Sequence, residues 1–147
     1  MRTLLASLTL VPISAILLAG CAGSQTKGNE MEQRFAPCPE SPNCVSSYAT
    51  DDLHAVDPLP LPGDDPMGTL REVVASFPRT KIVVEDRDYL HATFASLVFR
   101  FVDDVELRVD RDAGVVHVRS ASRVGYGDMG VNRRRVESMR ERLRARD

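Results

Sequence analysis

Three segments of the sequence alternate apolar with polar residues and carry most of the side chains that could do chemistry. Alternation places every second residue of a β-strand on one face. The polar members are Tyr89, His91 and Thr93, then Asp104, Glu106 and Arg108, then His117 and Arg119. If the strands are neighbours, His91 and Glu106 could form a general acid–base pair beside the cation of Arg119. Charge pairing between strands on a solvated face is the alternative, and it is the one that the sequence favours.

A second candidate is the stretch RSASRVGYGDMGVNRRR, residues 119–135. Its glycine-rich turn leads into a helical pattern, and the first turn of a helix offers unpaired N–H groups that suit a phosphate or a carboxylate. The nearby arginines also need acidic partners, so a closed network of ion pairs is the alternative to a ligand site. The residues proposed for either role are Asp103, Asp104, Glu106, Arg119, Ser120, Ser122, Arg123, Asp128, Asn132 and Arg133.

Asn132 falls on the apolar stripe of that last helical pattern, where a buried amide must find hydrogen-bond partners. We expect it to hold the loop 124–127 from beneath. Above the loop we expect arginine–aspartate pairs drawn from Arg119, Arg123, Asp103 and Asp104.

Other chemistries have no recognisable motif in the sequence. No nucleophile stands beside a base at a familiar spacing. His54, His91 and His117 are far apart in the chain, and the acidic run DDVE lacks the spacing of a calcium loop. The sequence therefore predicts no catalytic motif, no metal site and no cofactor.

The elements that would position these residues form a small α+β domain. Asp65 can cap a helix that starts at Pro66, and Pro78 ends it. Four strand patterns follow, TKIVVED, YLHATFAS, LVFRFV continuing into DVELRVD, and GVVHVRS. A last helix runs from about 129 to 144, with Asp128 as its cap and with Met129, Asn132, Val136, Met139 and Leu143 on one stripe. We therefore expect an antiparallel sheet of about four strands, flanked by an N-terminal and a C-terminal helix.

The beginning of the chain has the pattern of a secretory leader. Arg2 precedes an apolar run, 4–18, that is too short to span a bilayer comfortably. The run ends in Leu-Ala-Gly-Cys, which resembles a bacterial lipobox and implies an acylated Cys21 at the mature N-terminus. We expect a signal peptide over 1–20, a flexible tether over 21–37 and one globular domain over 38–147. No aspartate follows Cys21, which by resemblance to other lipoproteins indicates the outer membrane, with the domain in the periplasm.

Two further cysteines, Cys38 and Cys44, would then lie in an oxidising compartment, where a close pair usually forms a disulfide. Two free thiols or a metal site are the alternatives. The charge is uneven, because residues 119–147 carry nine basic and four acidic side chains whereas residues 22–118 carry nine basic and 17 acidic ones. This asymmetry indicates either an anionic partner or two parts of one fold that neutralise each other. Nucleic acid is disfavoured as a partner by the envelope location.

The segments CPESPNCVSS, YLHATFAS, FRFVDDVELRVD and VRSASRVGYGDMGVNRRRVE resemble, in this order, the domain of unknown function 1499 family. The resemblance covers about residues 38–142 and implies a common fold, often behind a signal or lipoprotein leader, without an established reaction. Thr93 departs from the family, which often has an acidic residue at that position.

These observations together predict a lipid-anchored envelope protein that is a non-catalytic binding or structural module. Its expected partners are the lipid bilayer, through acylated Cys21, and an envelope protein or an anionic ligand. The alternative is a small periplasmic enzyme that uses His91, Glu106 and Arg119.

Overall fold

A computed structural model describes residues 35–146 of the chain. The elements follow in the order β1 (Cys44–Ser46), β2 (Leu59–Pro60), α1 (Pro66–Ala75), β3 (Thr80–Asp86), β4 (Tyr89–Ala95), β5 (Val102–Asp110), β6 (Val115–Ser122) and α2 (Val131–Arg144). All the strands form one antiparallel sheet in the order β1-β6-β5-β4-β3, with β2 also paired to β6. The domain is thus α+β, as the sequence predicts.

The expected sheet of four strands is wrong in number, because the sheet has six. The two additional strands, β1 and β2, are three and two residues long. Such short segments are too brief to show the alternation by which a strand is recognised, and β2 contains Pro60. Both pair with β6 and extend the sheet beyond the four strands that the sequence predicts.

Both helices cover the same face of the sheet and bury its apolar residues. The core combines Leu90, Ala92, Phe94, Val105, Leu107, Val109, Val116 and Val118 of the sheet with Leu70, Val73 and Val74 of α1 and Val136, Met139 and Leu143 of α2. Burying a side chain of this kind stabilises the fold by roughly 1.5–3 kcal/mol. The helices of the described residues therefore cover one face of the sheet, and strand alternation decides which side chains meet them.

The start of α1 agrees with its sequence signals. The Asp65 carboxylate accepts a hydrogen bond from the Gly68 N–H at 3.0 Å, and Pro66 is the first helical residue. The start of α2 differs, because the helix begins at Val131 rather than at 129. Met129 precedes it with a φ of 53° and is 92% exposed, so it does not belong to the buried stripe. Gly130, with a φ of 75°, turns the chain into the helix.

The disulfide between Cys38 and Cys44 is present, with the two Cα atoms 5.6 Å apart. Phe35, which falls in the expected tether, is only 9% exposed and its ring lies 5.6 Å from that of Tyr48. Phe35 therefore packs with the domain. Cys21 and the leader lie outside the described residues, among which no helix is long and apolar enough to cross a membrane.

Candidate functional site

The sheet separates the candidate residues of the sequence into two groups on opposite faces. Asp104, Glu106, Arg119 and Arg123, together with His91, lie on the face that the helices leave uncovered, which we call the open face. Asp103, Ser120, Ser122 and Asn132 lie on the helix-covered face. The cause is simple alternation, since Asp103 has the parity of core residue Val105 and Asp104 does not. A single site containing all ten residues is therefore not formed.

On the open face, His91, Glu106 and Arg119 occupy directly opposed positions on β4, β5 and β6. Glu106 is doubly engaged, accepting hydrogen bonds from the Tyr89 hydroxyl at 2.8 Å and from Arg119 Nη1 at 3.2 Å. His91 turns away from Glu106, and its Nε2 lies 2.7 Å from Asp104 Oδ1. The expected acid–base pair of His91 with Glu106 is thus replaced by two separate contacts, each with a different partner.

Asp104 is held between two basic side chains. Arg123 donates to both carboxylate oxygens at 2.8 Å, and His91 contacts one of them. The bidentate hydrogen bonds from Arg123 lower the pKa of Asp104 against the opposing effect of burial, and His91 adds to the lowering. Asp104 is consequently an ionised acceptor at neutral pH and has no proton to donate as a general acid.

On the covered face, Asn132 is fully buried and uses its whole amide. Its oxygen accepts hydrogen bonds from Ser120 Oγ at 2.7 Å and from Arg135 Nη1. Its nitrogen donates to the Asn43 carbonyl at 2.9 Å and to Ser122 Oγ at 3.0 Å. The guanidinium of Arg135 also pairs with Asp103, which places a closed polar cluster between α2 and the sheet.

This cluster corrects two sequence-based expectations. Asn132 does not hold the loop 124–127 directly; it binds the Asn43 carbonyl, and the Asn43 amide in turn donates to the Gly125 carbonyl at 2.6 Å. Arg135, which sequence reasoning omitted in favour of Arg133, is the partner of Asp103. The spacing of three residues from Asn132 was a usable signal, because such residues share one side of a helix.

Asp128 and Arg133 complete the predicted set without joining either group. The Asp128 carboxylate accepts hydrogen bonds from the N–H groups of Gly130 at 2.8 Å and Asn132 at 2.7 Å. It thus occupies N–H groups at the start of α2 that an anionic ligand would need. Arg133 donates to the carbonyls of Ala55 at 2.8 Å and Leu53 at 3.0 Å, so it fastens the segment before β2.

At the far end of the open face, Arg108 and His117, which alternation already aligns, form a cluster with aromatic rings that sequence reasoning did not foresee. Arg108 is 6% exposed, with its Cζ atom 4.8 Å from the ring centre of Tyr48 and 5.6 Å from that of Phe35. His117 stacks on Tyr48 at 4.2 Å. Burial, followed by the charge of Arg108, lowers the pKa of His117 and leaves its imidazole neutral at pH 7. Aromatic cover of this kind comes from residues outside the strands, which periodicity cannot place.

Ser47, His117 and Asp110 follow one another across this cluster but do not form a nucleophilic triad. Ser47 Oγ is 3.2 Å from His117 Nδ1 and accepts a hydrogen bond from the Val118 N–H at 3.0 Å. His117 Nε2 is 3.7 Å from Asp110, beyond hydrogen-bond range. The Ser47 hydroxyl therefore serves the pairing of β1 with β6. A neighbouring cavity of about 330 Å³ includes Phe35, Tyr48 and His54 in its lining but not Ser47 or His117.

The opposite end of the sheet is strongly apolar at its surface. Two loops meet there, 96–101 between β4 and β5 and 123–130 between β6 and α2. They expose Leu97, Val98, Phe99, Phe101, Val124, Tyr126 and Met129, each more than half accessible to solvent. A groove of about 500 Å³ lies between the loops, with Phe99, Phe101, Val124 and Met129 in its lining. We call this surface the apolar end.

Among the described residues, no group of three or more histidines, cysteines and carboxylates is placed to hold a metal ion. The model of the family described as "Protein of unknown function (DUF1499)" matches residues 34–143, three quarters of the chain. The protein therefore belongs to this family. None of the curated proteins matches the chain.

Proposed function

We propose that this protein is a lipid-anchored, non-catalytic module of the bacterial envelope that binds an envelope component through its apolar end. The observation that carries the proposal is the exposure of seven large apolar side chains on two adjacent loops. Soluble monomers rarely expose contiguous apolar patches of more than a few hundred Å², and larger ones generally mark interaction surfaces.

The charged residues support a binding or structural role over a catalytic one. Each carboxylate of the DDVE run already has a basic partner, with Asp103 on Arg135, Asp104 on Arg123 and Glu106 on Arg119. A catalytic acid or base needs a proton position open to substrate. Because these carboxylates and arginines neutralise one another, neither the open face nor the helix-covered cluster offers one of these three arginines to an anionic substrate.

The anchor is proposed from the leader. The apolar run followed by Leu-Ala-Gly-Cys supports acylation of Cys21, and two or more acyl chains hold a protein stably on a bilayer. The absence of aspartate after Cys21 supports the outer membrane, with the domain in the periplasm.

Replacing the anchor cysteine tests the first half of the proposal. In Cys21→Ala we expect metabolic labelling with palmitate to disappear, and the protein to remain an unprocessed precursor or become soluble. Cys38→Ala, which removes a disulfide cysteine instead, should retain the label. Label that persists in Cys21→Ala would show that Cys21 is not the acylated residue.

The enzyme alternative is favoured by one observation, the direct opposition of His91, Glu106 and Arg119 across three strands. Complementation of a deletion strain under envelope stress separates the two functions. A binding module requires that His91→Ala restores growth and that the double variant Leu97→Asp/Phe99→Asp does not. The reverse result would support the enzyme, and a deletion without a phenotype under any stress would count against a required envelope role.

A further inference from the structure

We infer that the occupant of the apolar end is a lipid bilayer surface, with the loop tips inserted among the headgroups and upper acyl chains. This inference rests on the proposed anchoring of Cys21 and names the partner of the same surface. In this arrangement the domain contacts the membrane directly, in addition to being attached to it through the acylated Cys21.

The two loops project from the same end because they join consecutive strands and the following helix. Ala95 pairs with Val102 at the start of the first loop, and Asp103 pairs with Ser122 just before the second. The two loops therefore begin at nearly the same level of the sheet, because the strand pairs before them differ by one residue on β5. Phe99 and Phe101 of the first loop and Val124 and Met129 of the second line the groove between the loops.

Hydrogen bonds fix the conformations of both loops. The exposure of their apolar side chains is therefore a property of ordered loops. The first is closed by hydrogen bonds from Ser96 N–H to the Phe101 carbonyl and from Phe101 N–H to Ser96 Oγ, both 2.9 Å long. The rings of Phe99 and Phe101 stack with their centres 5.5 Å apart. The second loop is held by the bond from Asn43 to the Gly125 carbonyl. A fixed loop with an aromatic tip loses little conformational freedom on docking.

The charges around the tips match an anionic headgroup layer. Arg100 lies between Phe99 and Phe101 in the chain, and Arg79 and Lys81 enter β3 at the same end of the sheet. None of these three cations forms an ion pair within residues 35–146. The three acids of this end are already occupied: Asp103 by Arg135, Asp104 by Arg123 and His91, and Asp128 by backbone N–H groups. Apolar tips flanked by cations without acidic partners are typical of proteins that lie in the membrane interface.

The same charges argue against a second copy as the occupant. In a two-fold dimer this surface would meet its own copy, so the interface would collect Arg79, Lys81 and Arg100 of both copies, and the acids of this end already have partners. A bilayer has no such conflict, and long arginine side chains can reach the headgroups while their neighbours enter the apolar layer.

The length of chain before the domain permits the contact. Thirteen residues, 22–34, separate Cys21 from Phe35 and span at most about 45 Å when fully extended. A domain of this size has a radius of gyration of about 13 Å. The apolar end can therefore reach the bilayer that holds Cys21 whichever side of the domain faces the anchor.

Tryptophan fluorescence provides a test, because the natural chain contains no tryptophan. Phe99→Trp places one probe at a loop tip, and Val84→Trp places a control at a half-exposed position on β3 towards the other end of the sheet. Each lipidated protein is purified from the envelope in detergent and reconstituted into vesicles of phosphatidylethanolamine and phosphatidylglycerol, with or without brominated acyl chains. We expect bromine to quench the emission of Phe99→Trp at least about twofold and to leave that of Val84→Trp unchanged. The emission of Phe99→Trp should also shift to the blue in the vesicles.

A second substitution tests the charge. Arg100→Gln in the Phe99→Trp protein should reduce quenching by bromolipid in anionic vesicles, whereas Arg87→Gln at the opposite turn should not. Unquenched emission from the loop-tip probe in vesicles overturns lipid docking, as does a blue shift that already exists in detergent and depends on protein concentration, which would indicate a second copy. Palmitate labelling of the same proteins distinguishes the two proposals. Label without quenching would support acylation of Cys21 and contradict lipid docking of the apolar end. Quenching without label would support the docking and contradict the acylation.

Discussion

Asn132 shows how much of this fold depends on one side chain. It is completely buried and satisfies three groups of the sheet side, the Asn43 carbonyl and the hydroxyls of Ser120 and Ser122. Asn132→Ala removes one hydrogen bond from each of these groups. The Asn43 carbonyl keeps the bond from the Ser122 N–H and Ser120 Oγ keeps the bond from Arg135, but the buried Ser120 hydroxyl proton loses its acceptor. A buried polar group without a partner costs about 1–3 kcal/mol, and each further lost hydrogen bond adds about 1 kcal/mol. We expect a loss of about 3 kcal/mol in the free energy of unfolding. Denaturant titration measures it, with solvent-facing Glu141→Ala as a control expected to change stability by no more than about 0.5 kcal/mol.

Arg123 provides a smaller and pH-dependent effect. Its side chain is half exposed, so solvent screens its pair with Asp104 and the contribution to stability at neutral pH is small. Arg123→Ala should lower the melting temperature accordingly. Had these arginines been an unpaired cluster awaiting a ligand, removing one would leave the melting temperature unchanged or raise it. That outcome would therefore favour the ligand site over the ion pair.

Acid should erase this difference between Arg123→Ala and the natural protein. Because the pKa of Asp104 is lower in the folded chain than in the unfolded one, unfolding takes up a proton. The stabilisation is complete above the pKa of an unfolded aspartate, about 4, and is lost as the pH falls through the folded value. Melting curves of both proteins from pH 7 to pH 2 should converge at the acid end. Curves that stay equally separated throughout would mean that the effect of Arg123 does not pass through Asp104.

At the level of strands and helices, the sequence predicts regular elements well and their irregular partners poorly. β3 has the predicted bounds, since TKIVVED is Thr80–Asp86, and the buried stripe of α2 contains Asn132, Val136, Met139 and Leu143 as expected. Hydrophobic periodicity and turn residues are properties of short segments, so the sequence alone reveals them. β1 and β2 exist only because β6 offers a free edge, and no local pattern records that.

The candidate site shows the same limit more sharply. Alternation correctly aligns His91, Glu106 and Arg119 on one face, but side-chain torsions decide that His91 bonds to Asp104 instead of Glu106. Alternation also places Asp103 on the covered face. The predicted cluster nevertheless combined Asp103 with Asp104, because the two residues are adjacent in the sequence. The apolar end could not be predicted, because LVFRFV reads as the beginning of a strand. Only the structure shows that β5 starts at Val102 and that the preceding residues form an exposed loop.

Over the whole molecule, the basic segment 119–147 and the acidic segment 22–118 pair with each other within the fold. Arg119, Arg123 and Arg135 pair with acids of β5, and Arg140 donates to the carbonyls of Asp57 and Pro58. Internal neutralisation thus accounts for much of the asymmetry in charge, without an anionic partner. Arg79, Lys81 and Arg100 at the apolar end are the exception, because none of them forms an ion pair within residues 35–146, and all three belong to the acidic segment 22–118.

These connections predict that residues 35–146 unfold as one cooperative unit. α2 shares the core with α1 and the sheet, and its polar side chains hold residue 43 and the segment 53–58, so neither part can loosen without exposing the other. Single domains of this size usually unfold in one step. With the disulfide intact, far-UV circular dichroism, which follows the helices, should give the same midpoint as near-UV dichroism, to which packed Tyr48 contributes. Arg140→Ala should move both midpoints equally, because it weakens a contact between the parts. Separate midpoints, with the tyrosine signal lost first, would instead identify the segment before α1 as an independent layer on the sheet.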